Sequence, residues 1–296
     1  MSSEIKVGVV GLDTSHSVEF IRRMQAPDCP ADQRVTGLRA TVCMRFETPF
    51  QDKAGLDGRQ KILEGWGVKV TESFEETVAN CDAVMLEIND PAYHVEYFQK
   101  AAALGKPIYL DKPLADTIAN GKKIAALAKS KGLKVMSSSS LRYVPALLEA
   151  CKAVPAPTHA TTFGPLGKAP VGSSIVWYGV HAFEMLERAM GRGAVTMTAV
   201  KDPKGAVCVA HYADGRRGVV ELCEGSPFGV ALRGGGKSAA HMVDMGRAYT
   251  LQLIEIEKFF RTGVAPLTFE DTVEIMALLD AAQQSADCGK TVSVAV

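Results

Sequence analysis

The chain has 296 residues, 47% of them hydrophobic and 22% charged, with Lys plus Arg and Asp plus Glu both at 33. That balance is the one expected of a globular chain and excludes a disordered or fibrous one, while a formal charge of zero removes the electrostatic basis for binding nucleic acid or an anionic membrane surface. A chain of this length forms one large or two medium domains.

The first residues, Met1-Ser2-Ser3-Glu4, lead straight into an apolar run, and no uninterrupted apolar stretch approaches the ~18 residues of a membrane span. A cytoplasmic location is therefore expected. The seven cysteines (Cys29, Cys43, Cys81, Cys151, Cys208, Cys223, Cys288) are scattered and never spaced as CxxC, so they read as reduced, mostly buried residues.

In chain order, the first half alternates β-branched runs with helical patterns. Strands are predicted at "KVGVVG" (6–11), "LRATVCM" (38–44), "AVMLEI" (83–88), "PIYLD" (107–111) and "KVMSSS" (134–139). Helical spacing marks "SVEFIRRMQ", "SFEETVANC", "HVEYFQKAAALGK" and "ADTIANGKKIAALAKSKG", the last two ending at Gly105 and Gly132, which suit left-handed caps. Such alternation predicts stacked βαβ units and a doubly wound parallel sheet of the Rossmann kind.

The pattern changes at the proline-rich "AVPAPTH". Beyond it, "AVTMTAVKD", "GAVCVAHYADGRRGVVELCEG" and "GVALRGGGK" read as antiparallel hairpins, the middle one turning at Asp214-Gly215. Two helices, near 249–261 and 270–286, and a short strand "TVSVAV" close the chain. The expected division is a dinucleotide-binding domain over 1–141 and an α+β domain with an open, mostly antiparallel sheet over 142–296. "RGGGK" (233–237) follows an antiparallel strand and reads as a hairpin turn, not a phosphate cradle.

The first βα turn, "GLDTSH", departs from G-x-G-x-x-G. Gly11 is kept, but Asp13 and His16 stand where the second glycine admits the pyrophosphate and the third lets helix pack on strand. Asp13 brings a negative charge toward the phosphates unless its carboxylate turns away. Asp13, Thr14 or Ser15 can cap the following helix, whose free amides still attract an anion. The second strand ends in Met44 where an acidic ribose ligand is usual, and Arg45 follows. An arginine there suits a 2′-phosphate and favours NADP over NAD, while a solvated surface arginine fits the position equally well.

The stretch "DAVMLEINDPAYHVEYFQKAAALGKPIYLDKPLADT" (82–117) resembles the nucleotide domain of the Gfo/Idh/MocA oxidoreductases, with Pro91 and His94 as its P-x-x-H turn, Gly105-Lys106 as its GK, and Asp111-Lys112-Pro113 in place of EKP. "SSSSLRYVPALLEA", "IVWYGVHAFEML" and the last 45 or so residues continue the likeness along nearly the whole chain.

The resemblance implies an NAD(P)-dependent oxidoreductase that transfers hydride at a secondary hydroxyl of a sugar, cyclitol or related polyol, working as a homodimer or homotetramer. It implies catalytic roles for Lys112, which holds the hydroxyl oxygen, and for His181, the proton acceptor opposite it. The cofactor falls to Gly11, Leu12, Asp13, Thr14, Ser15, His16, Arg45, Asn89, His94, Asp111 and Lys112, and the substrate to Lys112, Arg142, Trp177, His181 and Glu184. Trp177 replaces the family's aspartate, leaving Glu184, one turn beyond His181, to compensate. Trp177 either stacks on a sugar ring or belongs to the core. No metal is expected, because Asp13, His16 and His94 lack ligand spacing. Two alternatives stay open: a nicotinamide-assisted sugar lyase, epimerase or hydrolase without net redox, or a non-catalytic relative that senses a small polar ligand. Substrate choice is assigned to the loops from Phe163 to Ser174.

Overall fold

The computed structural model describes residues 3–296. They divide into two compact units.

The first unit comprises the residues up to Ala115, then Lys122–Ser137 and Tyr249–Phe269. It is built on a six-stranded parallel sheet of β1 (Ile5–Val10), β2 (Leu38–Met44), β3 (Lys69–Thr71), β4 (Ala83–Leu86), β5 (Ile108–Leu110) and β6 (Val135–Met136), in the order β3-β2-β1-β4-β5-β6. This is a Rossmann topology, with the order reversing between β1 and β4. The central strands are apolar throughout because helices cover both faces: Val84, Met85, Leu86, Ile108, Tyr109 and Leu110 are all fully buried. Every strand predicted in this half is present, most of them shorter than predicted.

Two elements were not predicted, the helix Lys53–Gly65 and the edge strand β3. The helix buries only Leu56 and Leu63 and contains Gly55 and Gly58, so neither its apolar stripe nor its propensity stands out. The helix Ala248–Thr262 also fastens to this unit, although the expected boundary at 141 places it in the second domain. Arg23 donates to Thr250 Oγ1 at 3.1 Å, and Gln252 donates to the Tyr109 hydroxyl at 2.6 Å. A long return of the chain leaves no local sequence signal.

The second unit takes Asp116–Gly121, Ser138–Ala248 and Glu270–Val296. Its seven-stranded sheet runs β12-β11-β7-β10-β9-β8-β13, where β7 is His159–Gly164, β8 Ala194–Asp202, β9 Gly205–Tyr212, β10 Arg217–Cys223, β11 Gly229–Gly234, β12 Lys237–Met242 and β13 Val292–Ser293. All neighbours are antiparallel except β7 and β10. The predicted hairpins are present: Gly215 has φ +85° in the β9–β10 turn, and Gly235 and Gly236, at +57° and +75°, make the tight β11–β12 turn. Strand β7, central in the sheet, was not predicted. Its sequence, HATTFG, offers little apolar alternation to read.

Among the described residues, no helix is long and apolar enough to cross a membrane. All seven cysteines are free thiols, four of them buried.

Candidate functional site

Parallel register brings the chemistry of the first unit to one edge. Val10 pairs with Leu86 and Leu86 with Leu110, so Gly11, Glu87 and Asp111 emerge side by side past the strand ends. Backbone bonds continue the ladder there, from the Glu87 amide to the Val10 carbonyl (2.8 Å) and from the Asp111 amide to Leu86 (2.9 Å). In open α/β sheets, ligands bind at this carboxyl edge.

Gly11 meets a strict requirement. Its φ is +109°, and a Cβ there would lie 2.2 Å from the Glu87 carbonyl oxygen, closer than any side chain tolerates. The next residues answer whether the loop fits a dinucleotide. Asp13 does not cap the helix; Thr14 does, its hydroxyl accepting from the His16 amide at 3.2 Å. The Asp13 carboxylate, 1% exposed, instead accepts from the backbone amides of Asn89 (2.9 Å) and Asp90 (3.3 Å) and from Thr48 Oγ1 (2.8 Å). Burial raises its pKa against these donors. The carboxylate is thus engaged with the loop after β4, and the eleven-residue helix Ser15–Gln25 keeps the partial positive charge of its amino end. The Asp13 carboxylate, held by these donors, is not left free to oppose an anion at that end.

The other sequence-predicted cofactor residues are placed as follows. Leu12 is buried, and its carbonyl accepts from Arg59 Nη1 at 2.8 Å. Arg59, from the unpredicted helix, was missed. Arg45 pairs with Asp57 at 2.7 Å and with Gln60. Asn89 reaches back to the Asp13 carbonyl through Nδ2 at 3.3 Å. His94 is fully buried, its Nε2 2.8 Å from the Ile88 carbonyl and its Nδ1 3.2 Å from that of Leu114, so the ring ties the loop after β4 to the loop after β5.

His16 joins Glu87 and Asp111. Its Nδ1 lies 2.8 Å from Asp111 Oδ2, outside hydrogen-bond alignment, and its ring stands edge-on to Tyr249 at 5.2 Å and to Phe20 at 5.9 Å. Lys112 follows, 4% exposed. Burial alone would push both carboxyls up. For Asp111 the neighbouring His16 and Lys112 outweigh it and hold the group down at about 2. For Glu87 burial wins, reinforced by the charge of Asp111 and opposed by Lys112, and its pKa is raised well above the ordinary carboxylate value. Glu87 was not singled out in the sequence, although a glutamate inside the apolar run "AVMLEI" is an anomaly that signals it.

Lys112 belongs to the first unit and His181 to the second. There, the helix Val180–Met190 starts after a break at Gly179, where a Cβ would come within 2.5 Å of the Ile175 carbonyl oxygen. His181, in the first turn, is buried, with Nδ1 2.7 Å from Ser139 Oγ and its ring edge-on to Tyr178 and Phe228. Ser139 was missed as an individual residue within "SSSS".

Glu184 and Arg142, assigned to substrate by resemblance, are engaged with each other. Arg142 Nη1 contacts Glu184 at 3.2 Å and Glu187 at 2.5 Å, and Glu184 also accepts from the Ser139 amide at 3.0 Å. Burial pushes Glu184 up to about 7 even though Arg142 opposes it. Trp177 ends the short helix Ser174–Trp177, half-buried beside Tyr178 at 5.3 Å.

Residues 53–139 match an oxidoreductase family with an NAD-binding Rossmann fold, Gfo/Idh/MocA. The chain is 27% identical over 139 residues to the uncharacterized oxidoreductase YhhX of Escherichia coli K12, a match covering 42% of this chain and 40% of that protein. Over most of its length the fold is that of solved structures. A myo-inositol 2-dehydrogenase from Lactobacillus plantarum superposes with a TM-score of 0.80 at 16% identity, covering 99% of this chain and 100% of that one. GenD2 from gentamicin A biosynthesis, solved in complex with NAD, gives 0.80 at 16% identity, covering 100% and 98%.

Proposed function

We propose that the chain is an NAD(P)-dependent oxidoreductase acting at a secondary hydroxyl of a sugar, cyclitol or related polyol. The observation that carries this reading is Lys112: a buried ammonium two residues past β5, at the ligand-binding edge of a parallel sheet and within the stretch 53–139 that matches an NAD-binding family. The inositol dehydrogenase with the same fold supports the polyol class.

Gly11 to His16, with Asn89 beside them, would hold the diphosphate against the helix amino end, and Arg45 and Arg59 would be the candidates for the ribose end. The bound nicotinamide supplies a hydride acceptor. Lys112 donates a hydrogen bond to the substrate oxygen and stabilises negative charge developing there. The resemblance alone gives His181, in the second unit, the role of taking the hydroxyl proton. A general base needs the lone pair on Nε2, which requires Nδ1–H to donate to Ser139 Oγ, 2.7 Å away.

Calorimetric titration of the purified protein with NADH and NADPH tests the cofactor assignment. Saturable binding of at least one, tighter for NADPH if Arg45 or Arg59 receives the 2′-phosphate, is expected. Binding of neither would remove the basis of this reading.

A further inference from the structure

The carboxyl edge of the first unit holds a second chemical feature, centred on Glu87, beside the residues assigned to the nucleotide. Glu87 is fully buried and neither carboxylate oxygen has a hydrogen-bond partner, while Asp111 Oδ2 and His16 Nδ1 stand 2.8 Å from each other. One donor atom from each of His16, Glu87 and Asp111 lies within 4.8 Å of the other two. Buried carboxylates left without donors are costly, and the ordinary remedies are a proton, a buried water or a cation.

We propose that His16, Glu87 and Asp111 bind one divalent transition ion of the zinc or manganese class. The donor set decides the class: one imidazole with two carboxylates suits a borderline ion better than magnesium or calcium, which prefer oxygen alone. The geometry allows it with a small adjustment. Two donors at about 2.1 Å from one ion stand at most about 4.2 Å apart, so the site closes by an inward shift of less than about 1 Å. Three protein ligands leave a coordination position open, the arrangement of sites that polarise a bound oxygen.

Chain spacing hides the site, and the sheet register assembles it. Glu87 and Asp111 follow paired strands, and His16 lies in the first helical turn after β1. The histidine that departs from the usual loop glycine is the one that reaches Asp111. Support for the ring comes from Phe20 and Tyr249, which fix its plane.

The test is calorimetric titration of chelator-stripped protein with Zn²⁺, Mn²⁺ and Mg²⁺ in the absence of nucleotide, alongside melting curves with each ion. Zn²⁺ or Mn²⁺ is expected to bind at about one per chain and to raise the melting temperature, with Mg²⁺ weaker. Glu87→Gln and His16→Gln should each weaken binding at least tenfold, the scale of losing one ligand or its support. No saturable binding of any of the three ions to wild type, or unchanged affinity in folded variants, overturns the proposal. Should a variant fail to fold, the wild-type titration and melting shift still decide it. Repeating the NADH titration on stripped protein separates the two readings: NADH binding together with no binding of any of the three ions defeats only the metal site, and ion binding with no nucleotide binding defeats only the oxidoreductase.

Discussion

Replacing Asp13 by glycine restores the residue type usual in a dinucleotide loop, and the structure predicts an unintuitive result. The carboxylate bridges three donors, the amides of Asn89 and Asp90 and the Thr48 hydroxyl. Hydrogen bonds to a charged acceptor contribute roughly 1.5–3 kcal/mol each, and the burial that raises the pKa of Asp13 offsets part of the sum. Glycine adds about 0.5–1 kcal/mol of backbone entropy cost. The variant should therefore lose roughly 3–5 kcal/mol in urea unfolding, read as a lower midpoint at unchanged slope. Because the carboxylate is turned into the loop after β4, NADH affinity of the folded variant should change less than about threefold. A gain of tenfold or more, about 1.4 kcal/mol, would mean that the carboxylate opposes the phosphates, and the placement of Asp13 would be refuted.

Glu184 should make stability depend on pH. Its ordinary pKa of 4.5 rises to about 7 in the fold, chiefly through burial, so between those values the folded chain holds a proton that the unfolded chain releases. Stability should accordingly fall as pH rises from 4.5 to 7, by roughly 3 kcal/mol at 1.36 kcal/mol per unit, and Glu184→Gln should flatten that part of the curve. Parallel curves for the two proteins in urea unfolding from pH 4.5 to 8 would contradict it. Ser139→Ala removes the 2.7 Å contact that orients His181 and should lower kcat about tenfold with KM nearly unchanged, while shifting the pH profile of kcat. An unaltered profile would leave Ser139 without a positioning role.

The legible part of the fold was what local patterning controls. The apolar runs of β1, β2, β4 and β5, the caps at Gly105 and Gly132, and the turn at Gly215 each carry a local signal, and the last three have the positive φ their roles require. The helix Lys53–Gly65 and strand β7 were hidden by glycines in one and by polar residues in the other. In the candidate site, the motif order from Pro91 to Pro113 marked Lys112 and Asp111. Glu87 was passed over because its partners, His16 and Asp111, lie far away in the chain and meet only through parallel register. Arg142 and Glu184 show the opposite case. Read singly they suit a polar substrate, whereas folded they satisfy each other with Glu187.

Hydride transfer itself is the most direct test. Polyols deuterated at the carbinol carbon, inositols first among them, would be incubated with the protein and NAD⁺ or NADP⁺, and the nicotinamide examined by mass spectrometry and by its reduced-form absorbance. The account predicts one deuterium delivered to the nicotinamide for each substrate oxidised, and none with Lys112→Ala. Substrate loss with no reduced, labelled cofactor, or labelling that persists in the alanine variant, would contradict it.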